Sequence, residues 1–292
     1  MRILFTSDIH ANNAYLFFML SMAAKEKADA VIIAGDIIPH SLPHAESVGI
    51  LQAQGIYIRH TFIPAVRDFR RKRDIPIYLD LGNDDFIDNR KFLEEYDGEL
   101  FHLLHWRKHP LADGVDIIGY MNVPPTPFGR KDFEKPDMSG QPYAPGNLVS
   151  LNGCVSKNGM LKEAVIDLTS DDTIENDLAQ LSEMIEKPFL FISHSPPYQT
   201  PLDVLYDGTH VGSLAIKQFI REWSEKGQLI ASFHGHIHES PKRSGSIRTK
   251  IGDSICFNPG QDDGGDFRYM IFELGDSRTP SDILVFYEPY WG

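Results

Sequence analysis

The chain has 292 residues, of which 42% are hydrophobic, and its 41 acidic side chains outnumber 28 basic ones for a formal net charge of -13. That balance fits a globular fold with a sizeable core and disfavours nucleic acid as a partner unless a local cationic centre overrides the acidity. Two cysteines, Cys154 and Cys256, exclude a disulfide framework and a cysteine-rich zinc site, and no apolar run approaches the roughly 20 residues of a membrane span.

Taken in chain order, Arg2 to Ser7 is rich in Ile, Leu and Phe and predicts a strand buried on both faces, stopping at Asp8. Because this stretch is short and carries a single Arg, a cleavable leader is not expected and the cytoplasm is the expected compartment. Ala11 to Lys27 predicts a helix with Asn12 as its N-cap, and Asp29 to Ala34 a second buried strand ending at Gly35 and Asp36. A long helix is predicted over much of Ala45 to Lys72, with Gly55 its weak point, followed by a strand at Ile75 to Leu81 that ends at Gly82-Asn83-Asp84-Asp85. A helix near Asp88 to Tyr96 and a strand at Val115 to Gly119 come next. Residues 122 to 159 are crowded with Pro and Gly and predict a long loop, either a lid or irregular surface. Helices at Asp171 to Glu186 and Ser213 to Lys226 alternate with strands at Pro188 to Ser193 and Gln228 to Phe233, which end at His194 and at His234-Gly235-His236-Ile237-His238. Three or four strands fill Ser246 to Tyr287. The even spread of strands from Ile3 to Tyr287, with no linker or repeat, predicts one domain over residues 1 to 292.

Five strands thus deliver polar residues to the same kind of place, the carboxyl edge, where open α/β sheets gather ligands. Those residues are Asp8 with His10, Asp36, Asn83, His194, and His236 with His238. Each short motif alone is more often a turn or a satisfied polar residue; their ordered co-occurrence is what carries weight.

In that order the sequence resembles the calcineurin-like metallophosphoesterases, whose pattern runs D-x-H, G-D, G-N-H-[DE], H, G-H-x-H. The counterparts are DIH at 8 to 10, GD at 35 and 36, GNDD at 82 to 85, His194, and GHIH at 235 to 238. The stretches HSPP (194 to 197), DGTHVGS (207 to 213) and NPG (258 to 260) look like the Icc-related predicted phosphoesterase branch. The resemblance implies an α/β fold, a four-layer αββα sandwich of two mixed β-sheets flanked by helices. It implies two divalent metal ions, of which Mn, Fe or Zn suit such imidazole and oxygen donors. Asp8, His10 and His238 would hold one, Asn83, His194 and His236 the other, and Asp36 would bridge them. The implied activity is phosphoester hydrolysis by a hydroxide bridging the metals, in line on phosphorus. The implied substrate is a small phosphoester, with a nucleotide among the options; no membrane partner is expected, and a homo-oligomer is not excluded.

One position departs from the pattern. Where the family commonly has His in its third block, this chain has Asp84. A carboxylate roughly 5 Å from an anionic substrate would cost on the order of 3 kcal/mol at an effective dielectric near 20, and more for a doubly charged monoester than for a diester. The expectation is therefore a lean toward phosphodiesters. Other readings stay open: a proton donor whose pKa is raised by Asp85, a metal ligand, or a side chain turned away. A stand-in acid could be His210 or His40. Arg130 and Lys131 read as a basic pair that either contacts a phosphate or is simply solvated, and His234 as a structural residue. His44, His60, His102, His105 and His109 have no motif context and read as surface or packing residues. The alternatives are a phosphomonoesterase, acting on a nucleotide or a Ser/Thr phosphoprotein, and a non-catalytic metal-binding scaffold. The second is disfavoured because none of the seven ligand positions is missing.

Overall fold

The structure, a computed structural model, describes residues 1–39, 49–140, 149–261 and 265–275 and the backbone of 280–288. His40, His44 and the middle of the 122 to 159 segment lie outside the described residues.

Two six-stranded mixed sheets form the centre. In the first, β1 (Arg2–Thr6), β2 (Ala30–Ala34) and β3 (Ile77–Asp80) run parallel and continue to the short β4 (His102–Leu103). On the other side of β1, antiparallel β13 (Phe267–Leu274) and β14 (Pro280–Glu288) close the order β14-β13-β1-β2-β3-β4. The second sheet has β5 (Arg107–Ala112), β6 (Val115–Tyr120), β9 (Phe189–Ser193), β10 (Leu229–Phe233), β11 (Arg248–Ile251) and β12 (Ser254–Phe257), in the order β11-β12-β10-β9-β6-β5. The central strands are apolar on both faces because each sheet is covered twice, as parallel sheets require. One face meets the other sheet, with Phe5 and Phe233 at 4.9 Å and Phe233 and Phe272 at 5.4 Å between ring centroids. Full burial of rings of this size contributes about 2 to 3 kcal/mol each.

The outer faces carry helices. On the first sheet lie α1 (Asn13–Lys25), α2 (Ile50–Tyr57) and α3 (Ile63–Lys72), whose Leu16, Met19, Tyr57 and Val66 join its core. On the second lie α5 (Ile174–Ser182) and α6 (Leu214–Glu225), which bury Leu178, Leu181, Ile216 and Trp223 against Phe189 and Phe191. Short helices α4 (Arg90–Glu94) and α7 (Ser240–Ser244) complete the described set. The four layers match the expected αββα sandwich. Among the described residues no helix is long and apolar enough to cross a membrane.

Two differences from the sequence reading have clear causes. The helix runs straight through Gly55, where a Cβ would stand 2.9 Å from the Asn89 side chain, and is interrupted instead by a π turn at Ile58–Phe62. Pro64, just inside α3, has no N–H for the carbonyl one turn back, and the ladder widens there. The predicted loop from 122 to 159 is also wrong at its far end. Asn152–Lys157 is a strand, β7, paired with β8 (Met160–Val165) around Asn158 and Gly159 at φ 56° and 77°. An Asn-Gly pair that tolerates two positive φ values is the strongest short-range hairpin signal, and the neighbouring glycines obscured it.

Candidate metal centre

The strand ends do not simply stop; they zip onward in pairs. Past β1 and β2, the N–H groups of Asp8, His10 and Ala11 donate to the carbonyls of Gly35, Asp36 and Ile37 at 3.2, 2.9 and 3.1 Å. Past β9 and β10, Gly235 N–H donates to the His194 carbonyl at 3.0 Å. Asp8 joins the two sheets, since its carboxylate accepts the His236 N–H at 3.0 and 3.2 Å. The chain turns sharply to do this. Asp8, His10, Ala11, Asp36 and His236 all have φ between 45° and 70°. That region costs a non-glycine residue on the order of 1 kcal/mol or more and is most accessible to Asp, Asn and His, the types that fill four of the five positions.

The side chains brought together form two adjoining groups. In one, His238 Nε2 lies 3.4 Å from Asp8 Oδ1 and 3.3 Å from His10 Nε2. In the other, His194 Nε2 lies 2.9 Å from Asn83 Oδ1 and 3.2 Å from Asp36 Oδ2. The same Asp36 oxygen is 3.9 Å from His10 Nε2, which places its carboxylate between the groups. Ligand atoms about 2.1 Å from one cation stand roughly 3.0 to 3.4 Å apart in octahedral or tetrahedral arrangement, and four of these separations, from 2.9 to 3.4 Å, fit that spacing. Three overlapping groups each bring candidate ligand atoms within 4.8 Å of one another: Asp8, His10 and His238; Asp8, Asp36 and His194; and His10, Asp36 and Asp84. None includes His236, whose ring packs beside His194 with centroids 5.2 Å apart.

The protonation pattern also fits a cation. His194 Nδ1 donates to the Ala34 carbonyl at 2.6 Å, which turns Nε2 toward Asn83 and Asp36. Burial works against charge on this ring, but Asp36 and then Asp8 outweigh it and raise its pKa to about 10. Asp8 is held down at about 2 against burial by His238 and His194, and Asp36 well below the usual carboxylate range by His194, His10 and the Asp84 N–H. His236 is held neutral, at about 3, by burial and then by the charge of His194.

The calcineurin-like phosphoesterase family model matches residues 1–240. The chain belongs to that family. Its members are metal-dependent phosphoester hydrolases, and this phosphoesterase has the clustered Asp and His side chains to match. A search of curated proteins finds no match to the chain. Among solved structures, it is similar to the protein TT1561 of Thermus thermophilus, at 15% identity and TM-score 0.58, with 98% of each chain covered. It is likewise similar to a dimetal phosphatase from Danio rerio, at 11% identity and TM-score 0.56, covering 99% of this chain and 96% of that one. At such identities these likenesses speak to the fold alone.

Three glycines explain how the phosphoesterase packs its site so tightly. A Cβ on Gly35 would collide with His194, one on Gly82 with the Asp36 carboxylate, and one on Gly235 would stand 2.5 Å from Asp8 Oδ2. Each of these three glycines is therefore the gap into which another motif's side chain fits.

Sequence reasoning missed several supporting residues. Asp85 accepts the N–H groups of Ile37, Ile38 and Gly82 at 3.1, 3.1 and 2.9 Å and clips two of the loops together. Asn258 Nδ2 lies 3.1 Å from the carbonyls of both Gly235 and Ile237, holding the loop of His236 and His238. Asp84 faces His10, with Oδ2 3.8 Å from Nδ1, and is ion-paired at Oδ1 to Arg130 Nη1 at 2.8 Å. Lys131 corrects the reading of an exposed basic pair: it is fully buried and bonded to Glu134 at 2.7 Å. His210 is not brought to the other candidates. Its Nδ1 is bonded to the buried Asp203 at 2.7 Å, and it lines a different cleft beside Thr200 and Arg243. His234 is buried among Ser232, Ser193 and Ser195, and Asn12 caps α1 through the N–H of Ala14 and Tyr15.

Proposed function

We propose that this phosphoesterase is dinuclear and favours phosphodiesters. Asp36 carries the reading: one carboxylate oxygen reaches toward both His194 and His10, the position a bridging ligand needs. Asp8, His10 and His238 would hold one divalent ion, Asn83 and His194 the other with His236 beside it; Mn, Fe and Zn suit this donor set. Such ions supply Lewis-acid polarisation of a phosphoryl oxygen and lower the pKa of bound water. The protein's part is to fix these donors in place, through the glycine gaps and the Asp85 clip, so that little rearrangement accompanies the reaction. The similar Danio rerio protein is a dimetal phosphatase, which agrees with a two-metal site.

The case for diesters rests on shape rather than charge. Arg130 neutralises Asp84, so the repulsion expected of a bare carboxylate no longer ranks esters. Two clefts share Phe128 as a lining residue, and each reaches a histidine of the candidate centre. One, of about 540 Å³, is bounded by Phe86, Leu161, His10 and His238; the other, of about 260 Å³, by Pro124, Pro125, Val211 and His236. An ester with an organic group on each side of phosphorus fills both, whereas a monoester fills one. His210 has no catalytic part in this reading.

Elemental analysis should find two equivalents of divalent metal per chain, and bis(p-nitrophenyl) phosphate should turn over faster than p-nitrophenyl phosphate. Asp36→Asn should lower kcat/KM by more than the ~10- to 100-fold typical of losing an outer-shell partner of a metal site. A faster monoester would overturn the diester preference, and bound metal with no turnover of any ester would favour a scaffold.

A further inference from the structure

We propose that Arg130 is a substrate-binding residue whose guanidinium takes a non-bridging oxygen of the phosphoester, with Asp84 as the residue that positions it; this rests on the phosphoesterase reading above. The observation is the place of the ion pair. Asp84 spans the gap between the candidate metal centre and the loop, with Oδ2 at His10, its N–H on Asp36 Oδ1 at 2.9 Å, and Oδ1 on Arg130. The guanidinium is therefore joined to the candidate centre through a single residue, and it lies on the wall of the cleft that also holds His10 and His238.

Its base is rigid without help from the ion pair. On one side the Arg130 segment is pinned to β7: Cys154 N–H donates to the Gly129 carbonyl at 2.8 Å, and Lys131 N–H to the Cys154 carbonyl at 2.9 Å. On the other, the buried Lys131 and Glu134 close the turn through Thr126, whose N–H donates to Glu134 at 3.0 Å. With the loop so fixed, a partly exposed ion pair adds little stability. The pair instead fixes the side chain. Asp84 binds the guanidinium edge, and Phe86 lies beneath it with its centroid 5.4 Å from Cζ. A guanidinium has five donors in one plane, so one held by a carboxylate can meet a second anion at the same time, in the geometry phosphate oxygens prefer.

The test uses the full chain as wild type, Arg130→Ala, Arg130→Gln, Arg130→Lys and Asp84→Asn. Metal content, thermal melting, kcat and KM for bis(p-nitrophenyl) phosphate, and calorimetric binding of orthophosphate to metal-loaded protein are measured. Arg130→Ala and Arg130→Gln should keep wild-type metal content and raise both KM and the orthophosphate Kd about 10- to 100-fold. Arg130→Lys should recover only part of the loss, because it restores charge without the planar fork. Asp84→Asn should shift both constants in the same direction by less. Unchanged KM and orthophosphate Kd in both neutral variants would overturn the proposal and leave the pair structural. If Arg130→Ala fails to fold, Arg130→Gln, of similar length and able to bond Asp84, decides alone. Failure of the phosphoesterase reading looks different: wild type would hydrolyse no ester, while the orthophosphate comparison would still report on Arg130.

Discussion

At the scale of single residues, the centre is governed by which atom of each ring or carboxylate faces inward. His194 is the sharpest case, because its Nδ1 is committed to the Ala34 carbonyl and its Nε2 must either hold a proton or meet a cation. Its pKa, raised to about 10 by Asp36 and Asp8 against burial, means that near neutral pH an arriving ion displaces a proton. Apparent metal affinity should therefore rise about tenfold per pH unit between about pH 7 and 9 and level off above 10. Calorimetry in two buffers of different ionisation enthalpy would count the released proton; affinity independent of pH would contradict the assignment. The sign for the metal-free fold is opposite. With the folded pKa above the unfolded one, the stabilisation from His194 is complete below about pH 6.5 and disappears as pH rises through 10.

At the scale of elements, the site divides into parts written in the sequence and parts that are not. Buried parallel strands announce themselves as apolar runs, and a polar residue just past such a run has to lie at an edge, so Asp8, Asp36, Asn83, His194 and His236 could be placed from the chain alone. The loop after Asn122 has no period, and nothing local signals that Arg130 meets Asp84, 46 residues away in sequence. Lys131 shows the same limit differently, since a charged side chain reads as solvated until its partner is seen. From sequence Asp85 is only a neighbour that perturbs Asp84, because its three N–H donors lie on backbone, where side-chain identity leaves no trace. The Lys131–Glu134 pair, with both side chains fully buried, is what fastens the loop. Glu134→Ala would leave an unpaired ammonium in the interior and should destabilise the fold by about 3 to 5 kcal/mol in urea unfolding, far more than a surface ion pair. A loss below about 1 kcal/mol would show that the loop is held by other means.

At the scale of the whole molecule, neither sheet contains a complete set of donors. Asp8, His10, Asp36 and Asn83 follow strands of the first sheet, and His194, His236 and His238 follow strands of the second. Ions bound there would tie the sheets together and favour the folded chain by mass action, by about 2.7 kcal/mol for any one site at a free concentration 100 times its Kd. Stripping the protein with a chelator should lower its Tm by roughly 5 to 15 °C, and restoring the metal should recover it. Identical melting with and without chelator would mean that the sheets do not depend on the ions.

The same division between sheets has a consequence in time. His10 and His238 face one another at 3.3 Å but are 228 residues apart along the chain. A ribosome adding about 5 to 20 residues per second needs roughly 10 to 45 s between them. For that interval the early donors are waiting for partners not yet made. Any metal loading would therefore await synthesis of the second sheet, and an amino-terminal fragment that stops short of His194 carries four candidate donors and an unfinished site.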